Sequence, residues 1–203
     1  RVDSSTVKIL DRTHLEGVIE CSPKGGGFGH GHGRIEYKLH FYCELSEPFK
    51  SAEFFSEEEY IGYENVVEGA DIGLVLKFDD TKKVTLKTSV SYVDIEGARK
   101  NFAEVDGKSF DDICNMAAEK WEKALSCITI DTDNETDKIL FYTCLYHTLL
   151  DPRICADTDG RYKAPDGTVK TDTDYIQRTV FSGWDVYRSE FPLLTLISPE
   201  TIN

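Results

Sequence analysis

The sequence predicts an α+β protein in two parts, an antiparallel β-rich half followed by a helical half. Three observations support this fold class. Apolar and polar residues alternate along 35–45, helical periodicity begins at Ser109, and a second helix over about 132–150 is apolar nearly all round. Because the strands come first and the helices later, an antiparallel sheet is favoured over alternating βαβ units.

The β half occupies the first hundred residues. In its longest strand one face holds Ile35, Tyr37, Leu39, Phe41, Cys43 and Leu45, while the residues between them are mostly polar. The same alternation appears in shorter stretches at 7–10, 15–21, 72–78 and 84–92. Strands with one apolar face predict a β-sandwich, in which two sheets cover each other.

A glycine-rich stretch, 24–33, lies between two of these strands. No predicted helix follows it and the Walker lysine is missing, which excludes a phosphate-binding loop. His30 and His32 would point the same way on an extended segment and suit a metal, but no third ligand is evident. A hairpin loop is therefore favoured, and the acidic run 56–59 is interpreted as a solvated turn.

The helical half begins with a capping box, Ser109 followed by Asp112. One face of this helix carries Phe110, Ile113, Ala117, Trp121 and Ala124. A short apolar strand is predicted at 127–130, and the next helix should end at Asp151-Pro152. A helix as apolar as 132–150 has to be covered on most sides, as an inner helix of a larger assembly would be.

The stretch 153–179 is irregular and rich in Asp-Gly turns. Its segment 157–160 has the sequence Asp-Thr-Asp-Gly, which is similar in composition to part of a calcium-binding EF-hand loop. The third acidic position before the glycine, the closing glutamate and the flanking helix pair are all missing. The sequence therefore favours turns in a short β excursion.

The stretch 181–200 carries the candidate binding residues. Ser182 with Asp185 predicts a helix start that places Trp184, Asp185 and Arg188 around one turn. An indole offers a flat apolar face to a sugar ring, while a carboxylate and a guanidinium accept and donate hydrogen bonds to hydroxyls. The alternative is a core tryptophan beside an i,i+3 ion pair.

Two further helix signals follow. Pro192 predicts a break near 188–191, and Ser198-Pro199-Glu200 predicts the start of another helix. Because that helix begins close to the last residue, we expect the chain to be part of a longer protein.

Composition limits the function classes. The 203 residues are 40% apolar with a net charge of −14, which argues against binding to nucleic acid or to anionic membranes. No apolar run approaches the roughly 18 residues of a membrane span. The six cysteines lack metal-ligand spacing, and free thiols are favoured over disulfides, with Cys43, Cys114 and Cys144 expected to be buried.

The order of these landmarks resembles the α-mannosidases of glycoside hydrolase family 92. Four blocks carry the resemblance: 91–102, 121–130, 141–153 with 157–162, and 182–199. The resemblance implies a β-sandwich portion over 1–103, a linker helix region over 104–126 and the start of an incomplete (α/α)6 catalytic barrel over 127–203. It also suggests a secreted or periplasmic protein.

The resemblance further implies calcium-dependent exo-hydrolysis of the α-mannosides of glycans with inversion of configuration. It places the catalytic acid and base, and most of the calcium ligands, outside these residues. No catalytic residue is therefore assigned, and the chain alone is expected to be inactive. Trp184, Asp185 and Arg188 match the family's mannose-contacting segment. Val186 replaces a common threonine, and His147 is favoured as a packing residue over an acid or base.

Two other functions remain open at this point. The first is a noncatalytic carbohydrate-binding or assembly module that uses aromatic residues of the sandwich. The second is another (α/α)6 carbohydrate enzyme, such as a glycoside phosphorylase.

Overall fold

The structure, a computed structural model, describes residues 2–21, 37–56, 59–80, 83–179 and 183–202. The chain forms two compact units. The first consists of Arg1–Asp106 and Ala156–Ile176, and the second of Gly107–Cys155 and Gln177–Asn203. No described helix combines the length and the apolar character needed to cross a bilayer.

The first unit contains two antiparallel sheets. The larger sheet has the strand order β6-β1-β2-β3-β8 and the smaller has the order β5-β4-β7. The strands are β1 Val2–Ile9, β2 His14–Cys21, β3 Tyr37–Leu45, β4 Ser51–Phe55, β5 Tyr60–Gly62, β6 Val66–Gly69, β7 Gly73–Lys77 and β8 Leu86–Ser91. The period-two stretches predicted from the sequence thus form strands where they are described, which confirms an antiparallel β half.

One apolar core joins the two sheets. Alternate residues of β3, Cys43 and Leu45, meet Ala52 and Phe54 of β4, and Phe54 is fully buried. The core also contains Ile9, Leu15, Phe49 and Val67. Strand alternation therefore places one face of each sheet against the other, as in a sandwich.

Helix α1, Ile95–Asn101, follows β8 and packs on the larger sheet. Asp94 caps it by accepting a hydrogen bond from the Gly97 amide over 2.7 Å. A single 3₁₀ turn, Phe102–Glu104, continues the helix, and the Phe102 ring meets the edge of Tyr42 at a centroid distance of 5.1 Å. These contacts cover part of the polar face of β2, β3 and β8.

Residues 156–176, here called the returning segment, also belong to the first unit although they follow two helices of the second. They contain the hairpin of β10, Arg161–Lys163, and β11, Val169–Thr171. The short β9, Arg153–Ile154, pairs instead with β12, Arg178–Thr179, within the second unit. The sequence assigned this whole region to the third segment, whose boundaries at 103/104 and 126/127 stay predictions.

The second unit carries the remaining helices: α2 Phe110–Leu125, α3 Glu135–Thr148, α4 Gly183–Val186, α5 Glu190–Ile197 and α6 Pro199–Ile202. The predicted capping box is present, because Ser109 Oγ accepts from the Asp112 amide over 3.1 Å while Asp112 accepts from the Ser109 amide. Trp121 of α2 and Tyr146 of α3 contact each other at a ring-centroid distance of 4.6 Å.

Two local expectations are wrong. Residues 127–130 form a turn and an unpaired stretch instead of a strand, since no neighbouring strand is available among the described residues and Tyr142 Oη donates to the Ile128 carbonyl over 3.2 Å. All six cysteines are free, but only Cys43 is buried. Cys114 and Cys144 are exposed because they lie on faces of α2 and α3 that other parts of the second unit do not cover.

Helix α3 is also less covered within this chain than its composition suggests. Leu145 is its one buried residue, whereas Ile139 and Leu140 are about three-fifths exposed. His147 is exposed and its ring meets that of Tyr146 at 5.7 Å. The expectation that His147 packs inside the helical part is therefore not met in this unit.

Candidate functional site

The candidate binding residues lie where helix α4 ends. Trp184 and Asp185 stand in α4, which stops at Val186. Tyr187–Ser189 form a turn, and α5 begins at Glu190 with Pro192 in its first turn. Proline is tolerated there because its missing amide would be unpaired in the first turn of any helix. The predicted break therefore occurs just before the proline.

Trp184 is 81% exposed, so it is not a core residue of the part of the chain that the structure describes. Asp185 is exposed as well, while Val186, next in sequence, is 7% exposed and anchors the short helix. The chain thus exposes an indole and a carboxylate at adjacent positions of one short helix. An apolar ring beside a hydrogen-bond acceptor suits a neutral polar ligand such as a sugar.

Arg188 does not share a helical turn with Asp185. Its Nε donates to Tyr187 Oη over 2.6 Å, and its guanidinium carbon lies 5.3 Å from the centre of the Tyr187 ring. None of the ion pairs between described residues joins Arg188 to Asp185. The structure therefore gives Arg188 an aromatic partner that holds its remaining donors on an exposed turn.

Glu190 is a titratable residue near this turn that the sequence did not single out. Its Oε1 is buried and has no hydrogen-bond partner among the described residues. Burial, with a smaller contribution from nearby Asp151, raises the pKa of Glu190. An acidic residue at a helix start is ordinary capping chemistry, so the sequence held no signal that this carboxyl would be buried.

A second polar cluster lies in the first unit around Asp157. Asp157 Oδ2 accepts from Ser91 Oγ over 2.9 Å, and Asp157 Oδ1 accepts from Asn101 Nδ2 over 2.8 Å. Arg161 Nη1 and Nη2 donate to both oxygens of Asp94, over 2.7 and 3.2 Å. The charges of these carboxylates are therefore met by side chains of the protein itself.

Segment 157–160, whose sequence is similar to part of a calcium-binding loop, forms a turn. Gly160, with φ +79°, closes a turn in which its amide donates to the Asp157 carbonyl over 2.9 Å, so the predicted Asp-Gly turn is confirmed. Among the described residues no group of three or more histidine, cysteine, aspartate or glutamate side chains is arranged to hold a metal ion. The described residues do not fit a calcium ion. His30 and His32 lie outside the described residues, as does Ser182.

Comparison with known proteins identifies the family. The model of the glycosyl hydrolase family 92 catalytic domain matches residues 97–203, which is more than half of the chain. The chain belongs to glycoside hydrolase family 92. No match was found among curated proteins.

Solved family 92 structures align with nearly all of the chain. An α-mannosidase of the family from Bacteroides thetaiotaomicron aligns with 98% of this chain at 26% identity and a TM-score of 0.85. The inverting mannosidase of the family from Bacteroides thetaiotaomicron VPI-5482 aligns with 96% at 25% identity and a TM-score of 0.79. The first of these has also been solved in complex with mannoimidazole.

The likeness confirms the predicted fold class, an antiparallel sheet part followed by the first helices of the helical barrel. The chain spans 27% and 26% of the length of these two structures. Trp184 and Asp185 fall inside the matched catalytic-domain region.

Proposed function

We propose that this chain forms part of an exo-acting α-mannosidase that hydrolyses the α-mannosides of glycans with inversion. The family and its solved mannosidases support the reaction class. The single observation that carries the site is the exposure of Trp184 at 81% beside an exposed Asp185. In this proposal the chain supplies part of the wall that binds the terminal mannose.

Each residue of this wall has a defined task. Trp184 packs its indole against the apolar face of the sugar ring and removes water from it. Asp185 accepts hydrogen bonds from sugar hydroxyls, and charged acceptors make the stronger hydrogen bonds. Arg188, held against Tyr187, donates from its remaining guanidinium nitrogens.

Inversion needs two more carboxyl groups than this wall provides. One protonates the leaving oxygen and the other activates a water on the opposite face, with roughly 6.5 to 9.5 Å between them. We assign neither role to a residue of this chain and propose that the remainder of the barrel supplies both. The isolated chain should then release no mannose from any α-mannoside.

Calcium dependence belongs to the same proposal. A hard dication prefers six to eight oxygen ligands. Among the described residues, no three histidine, cysteine, aspartate or glutamate side chains are grouped so that they could hold a metal ion. Calcium bound by the remainder of the barrel would orient and polarise sugar hydroxyls. Chelation by EDTA should abolish turnover by the whole protein, and added calcium should restore it.

The experiment uses the whole protein and measures mannose release from an aryl α-mannoside and from mannobioses. Asp185→Asn should lower kcat/KM by roughly ten- to a hundredfold, the range expected for a lost charged hydrogen bond. Trp184→Ala should also lower kcat/KM, because the apolar contact with the sugar ring is lost. NMR of the first product should show the β-anomer. An α-anomer would overturn inversion, and absence of any mannosidase activity would overturn the function.

A matched control separates this proposal from a noncatalytic sugar-binding sandwich. Tyr92 is 42% exposed and meets Tyr37 edge to face at 6.2 Å, so it is an exposed aromatic residue of the first unit on which a sugar could stack. Tyr92→Ala should leave kcat/KM unchanged. Sugar affinity that survives Trp184→Ala but not Tyr92→Ala would favour the sandwich module instead.

A further inference from the structure

The returning segment, residues 156–176, pairs its backbone with itself. Its hairpin strands β10 and β11 bond only to each other in the described sheets. Its turns are closed by bonds from Asp157 N to Arg161 O, Ala164 N to Thr168 O and Asp172 N to Gly160 O, each 2.8 to 3.0 Å long. Among the described residues, no backbone-to-backbone hydrogen bond joins this segment to residues 2–106.

Side chains therefore hold the segment on the rest of the first unit. Asp157 stands at their centre, with its side chain 3% exposed and its two oxygens accepting from Ser91 and Asn101. Asn101 Oδ1 in turn accepts from the Thr158 amide over 2.8 Å. At the edge of this cluster Lys100 Nζ lies 3.0 Å from Asp159 Oδ2, and Arg161 reaches Asp94.

The fit around Asp157 leaves no spare room. A Cβ at Gly97 would lie 2.1 Å from Asp157 Oδ2 and 2.6 Å from Ser91 Oγ. Both distances are far below a normal contact, so only glycine at this position of α1 lets the carboxylate reach its donors. Docking of the returning segment through Asp157 thus requires a glycine at position 97.

We propose that the returning segment is a strap that can detach from the rest of the first unit while both sheets stay folded, and that Asp157 is the residue that holds it in place. Release breaks no bond of either sheet, because the strap shares none with them. A two-stranded hairpin with three-residue strands is not stable alone in water, so the strap unfolds once it is released.

Hydrogen exchange followed by NMR on the 203-residue chain tests this proposal. The Thr158 amide reports docking, the amides of β10 and β11 report the strap, and those of β3 report the larger sheet. Asp157→Ala removes the central acceptor, so Ser91 Oγ and Asn101 Nδ2 each lose their hydrogen bond to the segment, while Asn101 Nδ2 keeps the Val90 carbonyl. Exchange at Thr158 and in the strap should become roughly tenfold or more faster, with β3 unchanged.

Two further variants complete the test. Gly97→Ala displaces the carboxylate without changing the strap's own sequence, and it should accelerate the same amides as Asp157→Ala. Asp174→Ala makes the same chemical change at an exposed position of the strap and should leave all exchange rates as in the unaltered chain. Trypsin cleavage gives a second measurement, since Lys163 and Lys170 lie in the strap's strands and should be cut faster in Asp157→Ala and Gly97→Ala than in the unaltered chain.

Three results would overturn the proposal. Acceleration of the β3 amides together with those of the strap would mean that strap and sheets open as one body. Unchanged strap exchange in both Asp157→Ala and Gly97→Ala would mean that other contacts hold it. Loss of the folded sheets in Asp157→Ala would mean that the strap is an obligatory part of the sandwich.

Discussion

Arg99 of α1 donates a hydrogen bond from Nε to Oε2 of Glu16 in β2 over 3.0 Å, and the two residues lie 83 positions apart in sequence. The Glu16 side chain is 8% exposed and that of Arg99 43%. The hydrogen bond to Glu16 raises the pKa of Arg99. This pair joins the first helix to the larger sheet. Because the Glu16 carboxylate is buried, water cannot replace Arg99 as its hydrogen-bond donor if the pair is broken.

Removal of Arg99 should therefore cost more than an ordinary surface ion pair. We expect Arg99→Met to lower the unfolding free energy of the first unit by about 2 kcal/mol, because Glu16 is left buried and underpaired. Urea denaturation followed through β3 amide signals gives the measurement.

Lys8→Met is the matched control for Arg99→Met. Lys8 Nζ approaches the other Glu16 oxygen at 3.4 Å and its side chain is half exposed. Its loss should cost no more than about 1 kcal/mol. Equal losses in the two variants would show that the close hydrogen bond between Arg99 and Glu16 adds nothing.

Stability of the first unit should fall in acid because of Asp94. Hydrogen bonds from Arg161, with a further one from the Gly97 amide, hold the pKa of Asp94 below its ordinary value although burial opposes this. A carboxyl whose pKa is lower in the folded chain stabilises it above the unfolded pKa of about 3.9 and loses that contribution as pH falls through the folded value.

The check compares unfolding free energies of the unaltered chain and Asp94→Asn as a function of pH. The unaltered chain should be the more stable from pH 5 to 7, and the difference should shrink as pH falls below about 4. A difference that stays constant down to pH 2 would show that the charge of Asp94 has no part in its effect.

Local sequence patterns predicted much of this fold, but they gave no indication of the long-range polar contacts. The alternation along β3 and the Ser109 capping box each depend on neighbours within a few residues, and both are present in the structure. Asp157 pairs with Ser91, 66 residues away, and no pattern in either stretch points to the other. The sequence therefore described segment 157–160 as a turn but missed its place in the first unit.

In the candidate site too, the sequence predicted which residues matter but not the long-range or non-helical contacts that they make. Trp184 and Asp185 were recognised from the order of blocks in the chain, and their exposure is compatible with ligand binding. The partner of Arg188 was misjudged because the helix ends at Val186, and helical i,i+3 spacing does not apply beyond that residue. Burial of Glu190 follows from packing within the second unit, which residue spacing does not report.

Glu190 should destabilise the second unit at neutral pH. Its pKa is raised by burial and by Asp151, so the folded chain holds this proton more tightly than the unfolded chain. Stability then decreases as pH rises from the unfolded pKa of about 4.3 through the folded value, and the penalty persists above it. Glu190→Gln removes the charge and should raise the unfolding free energy at pH 7 by about 1 kcal/mol.

Glu200→Gln is the control, because the pKa of Glu200 is shifted in the opposite direction to that of Glu190. A hydrogen bond from Ser198 Oγ, 2.7 Å long, lowers the pKa of Glu200, so its charged form is favoured in the folded chain. This variant should be neutral or slightly less stable. Both tryptophans lie in the second unit, so tryptophan fluorescence during urea unfolding follows that unit. A gain from Glu190→Gln over the unaltered chain that is no larger at pH 7 than at pH 4 would contradict the prediction.

Trp184 should contribute little to the stability of this chain, in contrast to its neighbour Val186. With 81% of its surface exposed, Trp184 loses few contacts on truncation, and Trp184→Ala should change the unfolding free energy by no more than about 0.5 kcal/mol. Val186 is 7% exposed, and Val186→Ala should cost about 1.5 kcal/mol for two buried methyl groups.

Fluorescence of Trp121, which contacts Tyr146 across α2 and α3, reports unfolding in both variants. A large loss of stability in Trp184→Ala would mean that the indole is a packing residue, and any loss of mannose binding in that variant could then be a folding effect. Unchanged stability in Trp184→Ala would show that the indole does not pack within this chain, so that a loss of mannose binding in that variant is not a folding effect of this chain.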